Sequence, residues 1–371
     1  MKTMLFVLKK EFLLIFRDKM ILPMMLIMPV IQLLILPFAI DFDVRHLKIS
    51  VVDNDHSPYS QKLISQISST ELFTVSSIEN TYKDALTAVG KNRADIIIQI
   101  PYNFERDLVR ENSVRISIAA DAINIMKAGL GTGYLNLIIQ DFNRNIQTEW
   151  IGEQEESLSP VEIKYSFWYN PLMRYPNYMV PAILVLLITT LCGFMTALNI
   201  VREKEEGTME QINVTPLKRW QYIYGKLIPF LLLGIFIMSI GFVIMRFVYG
   251  IHIEGNLGTL YLFGIAYLVS ILGVGLLIST YANTQQQSMF IAFFFIMVFI
   301  LLSGLFTNVE SMPGWAFALS NTFSVTHFMH AMRAIVIKGS AFTDVWEDMV
   351  YIVIFSIVVN VWAILNYKKT N

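Results

Sequence analysis

The segment GNLGTLYLFGIAYLVSILGVGLLISTYANTQQQSMFIAFFFIMVFILLSGLFTNV, from Gly255 to Val309, contains no Asp, Glu, Lys or Arg. A bilayer core requires about 20 apolar residues for one helical span. The segment is therefore long enough for two spans, and the polar stretch from Ala282 to Gln287 marks the turn between them. A loop of a water-soluble protein would not be this apolar, so the segment predicts an integral membrane protein.

The composition of the whole chain supports the same prediction. The chain has 371 residues, of which 55% are hydrophobic and 15% are charged, whereas soluble domains carry about 25% charged residues. Its one cysteine, Cys192, lies in an apolar segment, which excludes an intrachain disulfide. The sequence has no phosphate-binding loop, GxGxxG motif or zinc spacing. If ATP drives this protein, another chain must bind it.

Six apolar runs predict six membrane-spanning helices, and charged residues mark their ends because a charge at the centre of such a helix costs about 2.5–3.5 kcal/mol. The predicted spans are residues 20–40, 178–201, 227–249, 257–281, 288–306 and 349–367. The predicted fold is an α-helical polytopic membrane protein. Residues 41–176 are inserted after the first span, and residues 177–371 contain the other five.

The distribution of Lys and Arg predicts the orientation, because these residues concentrate in short cytoplasmic segments. Residues 1–19 hold five, residues 202–226 hold five and the tail after residue 367 holds two. The short segments on the other side hold chiefly Arg333 and Lys338. Both termini are therefore predicted to be cytoplasmic, and the inserted segment is predicted to be extracytoplasmic.

Residues 1–19 predict an amphipathic helix that lies in the membrane interface. Its apolar stripe consists of Leu5, Leu8, Phe12, Ile15 and Phe16, and the basic residues lie off that stripe. Such a helix places its apolar side chains among the lipids and its charged side chains in water.

The inserted segment alternates between strand-like and helix-like stretches. The predicted strands are residues 47–52, 73–75, 94–100 and 114–119, and the predicted helices are residues 59–67, 82–89, 104–110 and 123–147. This alternation is typical of an α/β domain. The segment contains no catalytic Ser/His/Asp or metal-binding pattern that predicts an enzyme.

The loop between the second and third spans combines helix-starting signals with charge. Thr208 and Gln211 fit a capping box in which Thr208 is the N-cap, and Gly207 allows the chain to turn into it. Thr215 and Pro216 then start another helix. The helix dipole stabilises negative charge near the N-terminus of the first of these helices. The acidic residues there are Glu205, Glu206 and Glu210. From these features alone, the loop is either a docking site for a cytoplasmic partner or an ordinary connection.

Five stretches, in this order along the chain, carry a family resemblance. They are Lys10-Glu11-Phe12 with Arg17-Asp18-Lys19; Trp168-Tyr169-Asn170-Pro171; residues 202–210 with Thr215-Pro216 and Gly225-Lys226; residues 275–280 with Gln285 and Gln286; and residues 302–305 with Met312-Pro313. Together they resemble the permease subunit of ATP-binding-cassette (ABC) exporters of the second type. The resemblance is to the branch with a large external domain after the first span.

The resemblance implies a dimer of permeases, formed with a second copy or a paralogue, in which separate cytoplasmic ATPases bind ATP and Mg²⁺. It implies no cofactor or metal in this chain, no nucleic-acid partner, and a location in the bacterial inner membrane. A hydrophobic or amphipathic substrate, such as a drug or a lipid, would be exported. An adaptor protein in the periplasm is a further possible partner of the acidic external domain.

The resemblance also implies which residues couple the permease to its ATPase. The N-terminal "elbow" helix and the loop 202–226 would form the docking surface. The predicted coupling residues are Arg17, Asp18, Glu203, Glu206, Gly207, Thr208, Glu210, Thr215 and Pro216.

The segment 307–346 is predicted to form short re-entrant helices at the outer side. His327, His330 and Arg333 recur every three residues and would share one helix face. This pattern fits a metal, an anionic headgroup or a polar outer vestibule, and we predict an outer gate without a metal. For the whole chain, the alternative to an exporter is a membrane sensor that reads a ligand through its external domain.

Overall fold

The computed structural model of the chain describes residues 2–17, 21–39, 47–70, 72–111, 113–123, 125–151, 168–170, 174–208 and 219–366. They form two compact units. One comprises residues 1–41 and 166–371, and the other comprises residues 42–165.

The two units differ in secondary structure. In chain order the elements are α1 (Lys2–Arg17), α2 (Ile21–Ala39), β1 (Leu47–Asp53), α3 (Pro58–Ser68), β2 (Phe73–Glu79), α4 (Tyr82–Gly90), β3 (Ile96–Ile100), α5 (Phe104–Glu111), β4 (Ser117–Ala120), α6 (Ile125–Ile151), α7 (Tyr175–Glu205), α8 (Arg219–Phe247), α9 (Leu257–Tyr281), α10 (Gln285–Leu302), α11 (Gly314–Ser320), α12 (Ser324–Lys338) and α13 (Trp346–Asn366). The described strands all lie in residues 42–165, and the other unit is helical.

Five of the six predicted spans are confirmed as helices long and apolar enough to cross a membrane: α7, α8, α9, α10 and α13. Helix α8 begins at Arg219, eight residues before the predicted start at Leu227, and so includes Lys226. The first predicted span falls on α2, whose apolar part, Met25–Phe38, is shorter than the other five. The crossing of the membrane by α2 therefore stays a prediction.

Helix α9 lies at the centre of the helical unit, where it contacts α7, α8, α12 and α13. Gly275 permits the close approach to α7, because a Cβ atom there would lie 2.6 Å from the carbonyl oxygen of Gly193. Small residues allow such approaches between membrane helices. The buried hydroxyl of Tyr267 also hydrogen-bonds Thr189 of α7. By contrast, α10 and α13 expose most of their apolar side chains, as lipid-facing helices do.

Helix α1 contacts the other helices through a face that includes Ile15 and the charged Glu11, both of which are buried. Of the predicted apolar stripe, Leu5 and Phe16 are 67% and 58% exposed, so these side chains are free of protein contacts that would prevent them from facing lipid. The position of α1 in the membrane interface stays a prediction. The burial of Glu11 is not part of that prediction, and its physical reason is that the charge finds its partner within the protein.

The second unit is an α/β domain, as the alternating pattern predicts. Its sheet has the strand order β2-β1-β3-β4, in which the first three strands are parallel and β4 is antiparallel to β3. Helices α3, α5 and α6 cover one face through a core that includes Ile49 and Ile98. Helix α4 covers the other face, where Ala85 packs against Val52 and Ile97. Burial on both faces explains the nearly continuous apolar run of β3, Ile96–Ile100.

Candidate functional site

The last turn of α7 is joined to two other helices by the carboxylate of Glu203, which is 7% exposed. From α1, Lys10 Nζ donates to Oε1 at 2.6 Å. From α8, the Tyr222 hydroxyl donates to Oε2 at 2.6 Å, and Lys226 Nζ lies 3.0 Å from the same oxygen. One carboxylate therefore holds α1, α7 and α8 together.

Lys226 is the buried cation of this arrangement, and only 1% of the residue is exposed. Its Nζ donates to Asn199 Oδ1 of α7 at 2.6 Å and lies 3.4 Å from Glu11 Oε1 of α1. Glu11 is fully buried, and neither of its oxygens accepts a hydrogen bond from a described residue. A buried charge of this kind is tolerated only beside an opposite charge. Glu11 therefore depends chiefly on the ammonium of Lys226, with Lys10 Nζ farther away at 3.8 Å.

The two residues after Glu203 extend these contacts to the α9–α10 turn. Lys204 Nζ donates to the carbonyl oxygens of Ser279 and Ala282 at the end of α9. Glu205 Oε2 accepts from the backbone and side-chain nitrogens of Gln285, the first residue of α10, at 3.2 and 2.8 Å. A cation at a helix C-terminus and an anion at an N-terminus both complement the helix dipoles.

We name this group of residues the α7 junction; its members are Lys10, Glu11, Glu203, Lys204, Glu205 and Lys226. Through side chains in three consecutive positions, the end of α7 contacts α1, α8, α9 and α10. A displacement of this turn would therefore move four other helices. This is the geometry that a mechanical connection between a partner and the membrane helices requires.

The described members of the predicted coupling set lie at or beside the junction. Arg17 is exposed at the end of α1, and Glu206 is exposed and accepts from Arg202 Nε at 2.8 Å. Gly207 has a φ of +69°, the left-handed conformation that ends a helix without strain in glycine. The Thr208 hydroxyl donates back to the carbonyl oxygen of Glu203 at 3.2 Å.

Four predicted coupling residues, Asp18, Glu210, Thr215 and Pro216, lie outside the described residues, as does the partner of Thr208 in the predicted capping box. Glu203 is buried within the junction, so it reaches its neighbours inside this chain and not a docking partner directly. Its role in coupling stays a prediction.

A second polar cluster joins α12 to α13. Asp348 accepts from Nδ1 of His327 at 2.8 Å through Oδ1, and from Nδ1 of His330 at 2.7 Å through Oδ2. Nε2 of His327 faces the carbonyl oxygen of Asn321 at 2.9 Å, and its ring stacks on Tyr351. Both ring nitrogens of His327 therefore face acceptors. We name His327, His330 and Asp348 the histidine cluster.

The hydrogen bond and charge of Asp348 make His330 a stronger base. This hydrogen bond raises the pKa of His330 above its ordinary value, while burial and the positive charges of Lys338 and Arg333 oppose the rise. Half or more of the His330 side chain is exposed, so solvent can exchange its proton.

Arg333, the third predicted gate residue, lies apart from the histidine cluster. Its Nη1 donates to the carbonyl oxygen of Gly304, and its guanidinium carbon lies 3.7 Å from the ring centre of Tyr178 on α7. Burial lowers the pKa of Arg333. Tyr178 is near the start of α7 and Glu203 near its end, so Arg333 and the α7 junction mark opposite ends of this helix.

Sequence reasoning missed Asp348 and the partnership of Glu11 with Lys226. A signal was present for Lys226, which is the one charged residue between Arg219 and Arg246, because such charges in apolar helices are paired. Glu11 and Asp348 stand beside other charged residues, Lys10 and Glu347, and so do not stand out in the sequence. The sequence does not identify the partner of each charge, because that partner lies on another helix.

These residues define the class of protein: a multi-pass helical membrane protein with an inserted α/β domain and a charged junction at one end of its helices. Residues 19–365 match the family described as ABC-2 family transporter protein, and the chain belongs to that family. Membership makes it a transporter permease and not an enzyme, and implies ATPase partners.

Relatives from Escherichia coli K12 cover most of the chain. The chain is 29% identical to the "probable multidrug ABC transporter permease YbhR" over 87% of each protein. It is 27% identical to the "probable multidrug ABC transporter permease YbhS", over 85% of this chain and 83% of the relative. It is 25% identical to the "inner membrane transport permease YhhJ", over 87% of this chain and 85% of the relative.

Proposed function

We propose that this chain is the membrane subunit of an ATP-driven exporter in a bacterial inner membrane. Two permeases, identical or paralogous, pair within the bilayer, and each is bound by a separate cytoplasmic ATPase. The observation that carries the proposal is the α7 junction, in which one helix turn holds four neighbouring helices by ion pairs and hydrogen bonds.

In the proposed mechanism, ATP and Mg²⁺ on the partner supply the energy for closing the ATPase pair. The exposed residues Arg17 and Glu206 and the half-buried Thr208, together with the following loop to Pro216, receive that motion. Glu203 then passes it from α7 to α1 and α8, and Lys204 and Glu205 pass it to the α9–α10 turn. Because the contacts are short and largely buried, they move as a unit and lose little of the displacement.

A hydrophobic or amphipathic substrate fits the membrane helices best. Ion pathways through a membrane carry ionisable residues, whereas the residues from 255 to 309 carry no Asp, Glu, Lys or Arg. Two relatives are named as probable multidrug permeases, which agrees with a drug-like substrate. Arg333 and the histidine cluster would form the outer gate, and the acidic α/β domain would contact an adaptor protein.

The first test is purification of the tagged chain from its native membrane in mild detergent, followed by an ATPase assay. We expect a soluble ATPase to be retained in fixed stoichiometry. Recovery of the chain alone and without ATPase activity, under conditions that preserve other membrane complexes, would contradict the exporter and favour a ligand sensor.

Two sets of variants separate docking from transmission. Glu206→Ala with Glu210→Ala is expected to release the ATPase, because both positions belong to the proposed docking loop. Glu203→Gln is expected to retain the ATPase but to lower the ATPase activity of the complex in liposomes to that of the isolated subunit. The matched control is Glu347→Gln, an exposed carboxylate at the other end of the helices. Equal behaviour of Glu203→Gln and the control would refute transmission through the junction.

A further inference from the structure

A cleft with a volume of about 340 Å³ opens between α1 and the last turn of α7. This volume is within the range of about 300–1,000 Å³ for small-molecule pockets. Junction residues Glu203 and Lys226 form part of its floor, and its charged walls come from Lys10, Arg17, Arg202 and Glu206.

The cleft has an excess of positive charge, since four cationic and two anionic side chains line it. Both carboxylates are already engaged: Glu203 accepts from Lys10 at 2.6 Å, and Glu206 accepts from Arg202 at 2.8 Å. Arg17 is exposed and has no ion pair or hydrogen bond with another described residue. The cleft therefore offers an available guanidinium to an anion.

The apolar lining indicates the side from which that anion enters. Leu14 lines the cleft and is 48% exposed. It belongs to a row of large exposed apolar side chains on α1 that also includes Leu13 and Phe16. In a membrane protein such a row lies among lipid chains. With α1 in the membrane interface, as the sequence predicts, the side of the cleft formed by Leu14 is the side that faces lipid.

We propose that this cleft binds the phosphate of an anionic phospholipid, with Arg17 as its main contact and Arg202 and Lys10 beside it. Basic pockets between membrane helices bind anionic headgroups in this way. Arg17 is also one of the proposed coupling residues, so lipid binding is measured on the chain without its ATPase, where the result does not depend on the proposed export.

The test is native mass spectrometry of the full chain in detergent with phosphatidylglycerol or phosphatidylcholine of the same acyl chains. We expect tighter binding of phosphatidylglycerol. Arg17→Gln is expected to weaken that binding about fivefold, because one basic residue near a membrane surface contributes about 1 kcal/mol to anionic lipid binding. Phosphatidylcholine binding should not change. Arg17 is exposed at a helix end, so the variant is expected to fold normally.

Lys9→Gln is the matched control, since Lys9 is exposed on the same helix and does not line the cleft. It is expected to leave phosphatidylglycerol binding unchanged. An equal loss in both variants would show general surface attraction and overturn the proposal. Displacement of the lipid by an equal concentration of inorganic phosphate would show a free-phosphate site and also overturn it. Unchanged lipid binding in Arg17→Gln, combined with a loss of bound ATPase, would identify the cleft as a docking site for the partner.

Discussion

The α7 junction and the histidine cluster both join helices through buried carboxylates, but they use different cations. Glu11 and Glu203 face lysines, which are charged at every physiological pH. Asp348 faces two imidazoles, whose charge changes near neutral pH. The junction joins α7 to four helices, whereas the cluster joins only α12 to α13.

This difference assigns different mechanical properties to the two regions. Contacts that do not depend on an imidazole proton and that involve several helices keep one end of the helical unit together. Contacts that depend on a proton can be released without rebuilding the core. In the proposed mechanism, the junction therefore suits the end that would receive a displacement from the ATPase, and the cluster suits the end that would open.

The largest expected effect is that of Lys226→Met. Removing the buried ammonium leaves Glu11 with only the more distant ammonium of Lys10, at 3.8 Å, as an opposite charge among the described residues, and breaking a buried ion pair costs about 3–5 kcal/mol. Thermal unfolding in detergent should show a large decrease in stability, while Lys9→Met, an exposed lysine on α1, should show little change. The double variant Glu11→Gln with Lys226→Met should recover part of the loss. Additive losses in the double variant would show that the two residues are not coupled.

Asp348→Asn is expected to have the next largest effect, about 1.5–3 kcal/mol, because it removes the charged acceptor of two hydrogen bonds. The effect should depend on pH. The folded protein raises the pKa of His330, so this contribution is complete below the ordinary histidine pKa of about 6.5. It is lost as the pH rises through the raised value.

The free energy of unfolding should therefore decrease in the wild type as the pH rises from below about 6.5 through the raised pKa of His330. In Asp348→Asn it should change less over the same range. His252→Gln is the control, because His252 is exposed and its ring nitrogen contacts only the carbonyl oxygen of Gly250 among the described residues. If the free energy of unfolding of the wild type varied with pH as little as that of Asp348→Asn, the histidine cluster would not differ from the α7 junction in pH dependence.

Gly275→Ala tests the uncharged contact between α9 and α7, which lies between the two ends of α7. The added Cβ would lie 2.6 Å from a backbone oxygen of α7, so α7 and α9 must separate. Overpacking of this kind costs about 1–3 kcal/mol. Gly133→Ala is the control, because nothing lies within 4 Å of the added atom and alanine is the better helix former. Equal stability of Gly275→Ala and wild type would mean that the helices tolerate a wider spacing.

The smallest expected effect on stability is that of Glu206→Gln. Glu206 and Arg202 form an exposed pair one helical turn apart, and such pairs contribute about 0–1 kcal/mol. Unfolding should be nearly unchanged, in contrast to Lys226→Met. A loss of several kcal/mol would show that the junction extends to the surface.

Much of the fold could be predicted from the sequence because its signals are local. Apolar runs located the long helices to within a few residues, except for the start of α8, and the alternating pattern located the four described strands of the α/β domain. The face of α1 that contacts the protein could not be predicted, because Glu11 is buried by Lys226, a residue far away in the chain. The same distinction applies to the candidate site. Glu206 and Gly207 could be selected from their neighbours in the sequence, whereas Asp348 could not, because its partners are histidines on another helix.

The pairing of Glu11 with Lys226 also sets an order of events during biosynthesis. More than 200 residues separate the two, and at about 5–20 residues per second a ribosome needs at least about 10 s to reach the lysine. Throughout that interval the carboxylate of Glu11 has no ammonium from α8 and must remain hydrated. We therefore expect helix α1 to remain at the membrane surface, held by its exposed leucines and phenylalanines, and to pack against α8 only after α8 has entered the bilayer.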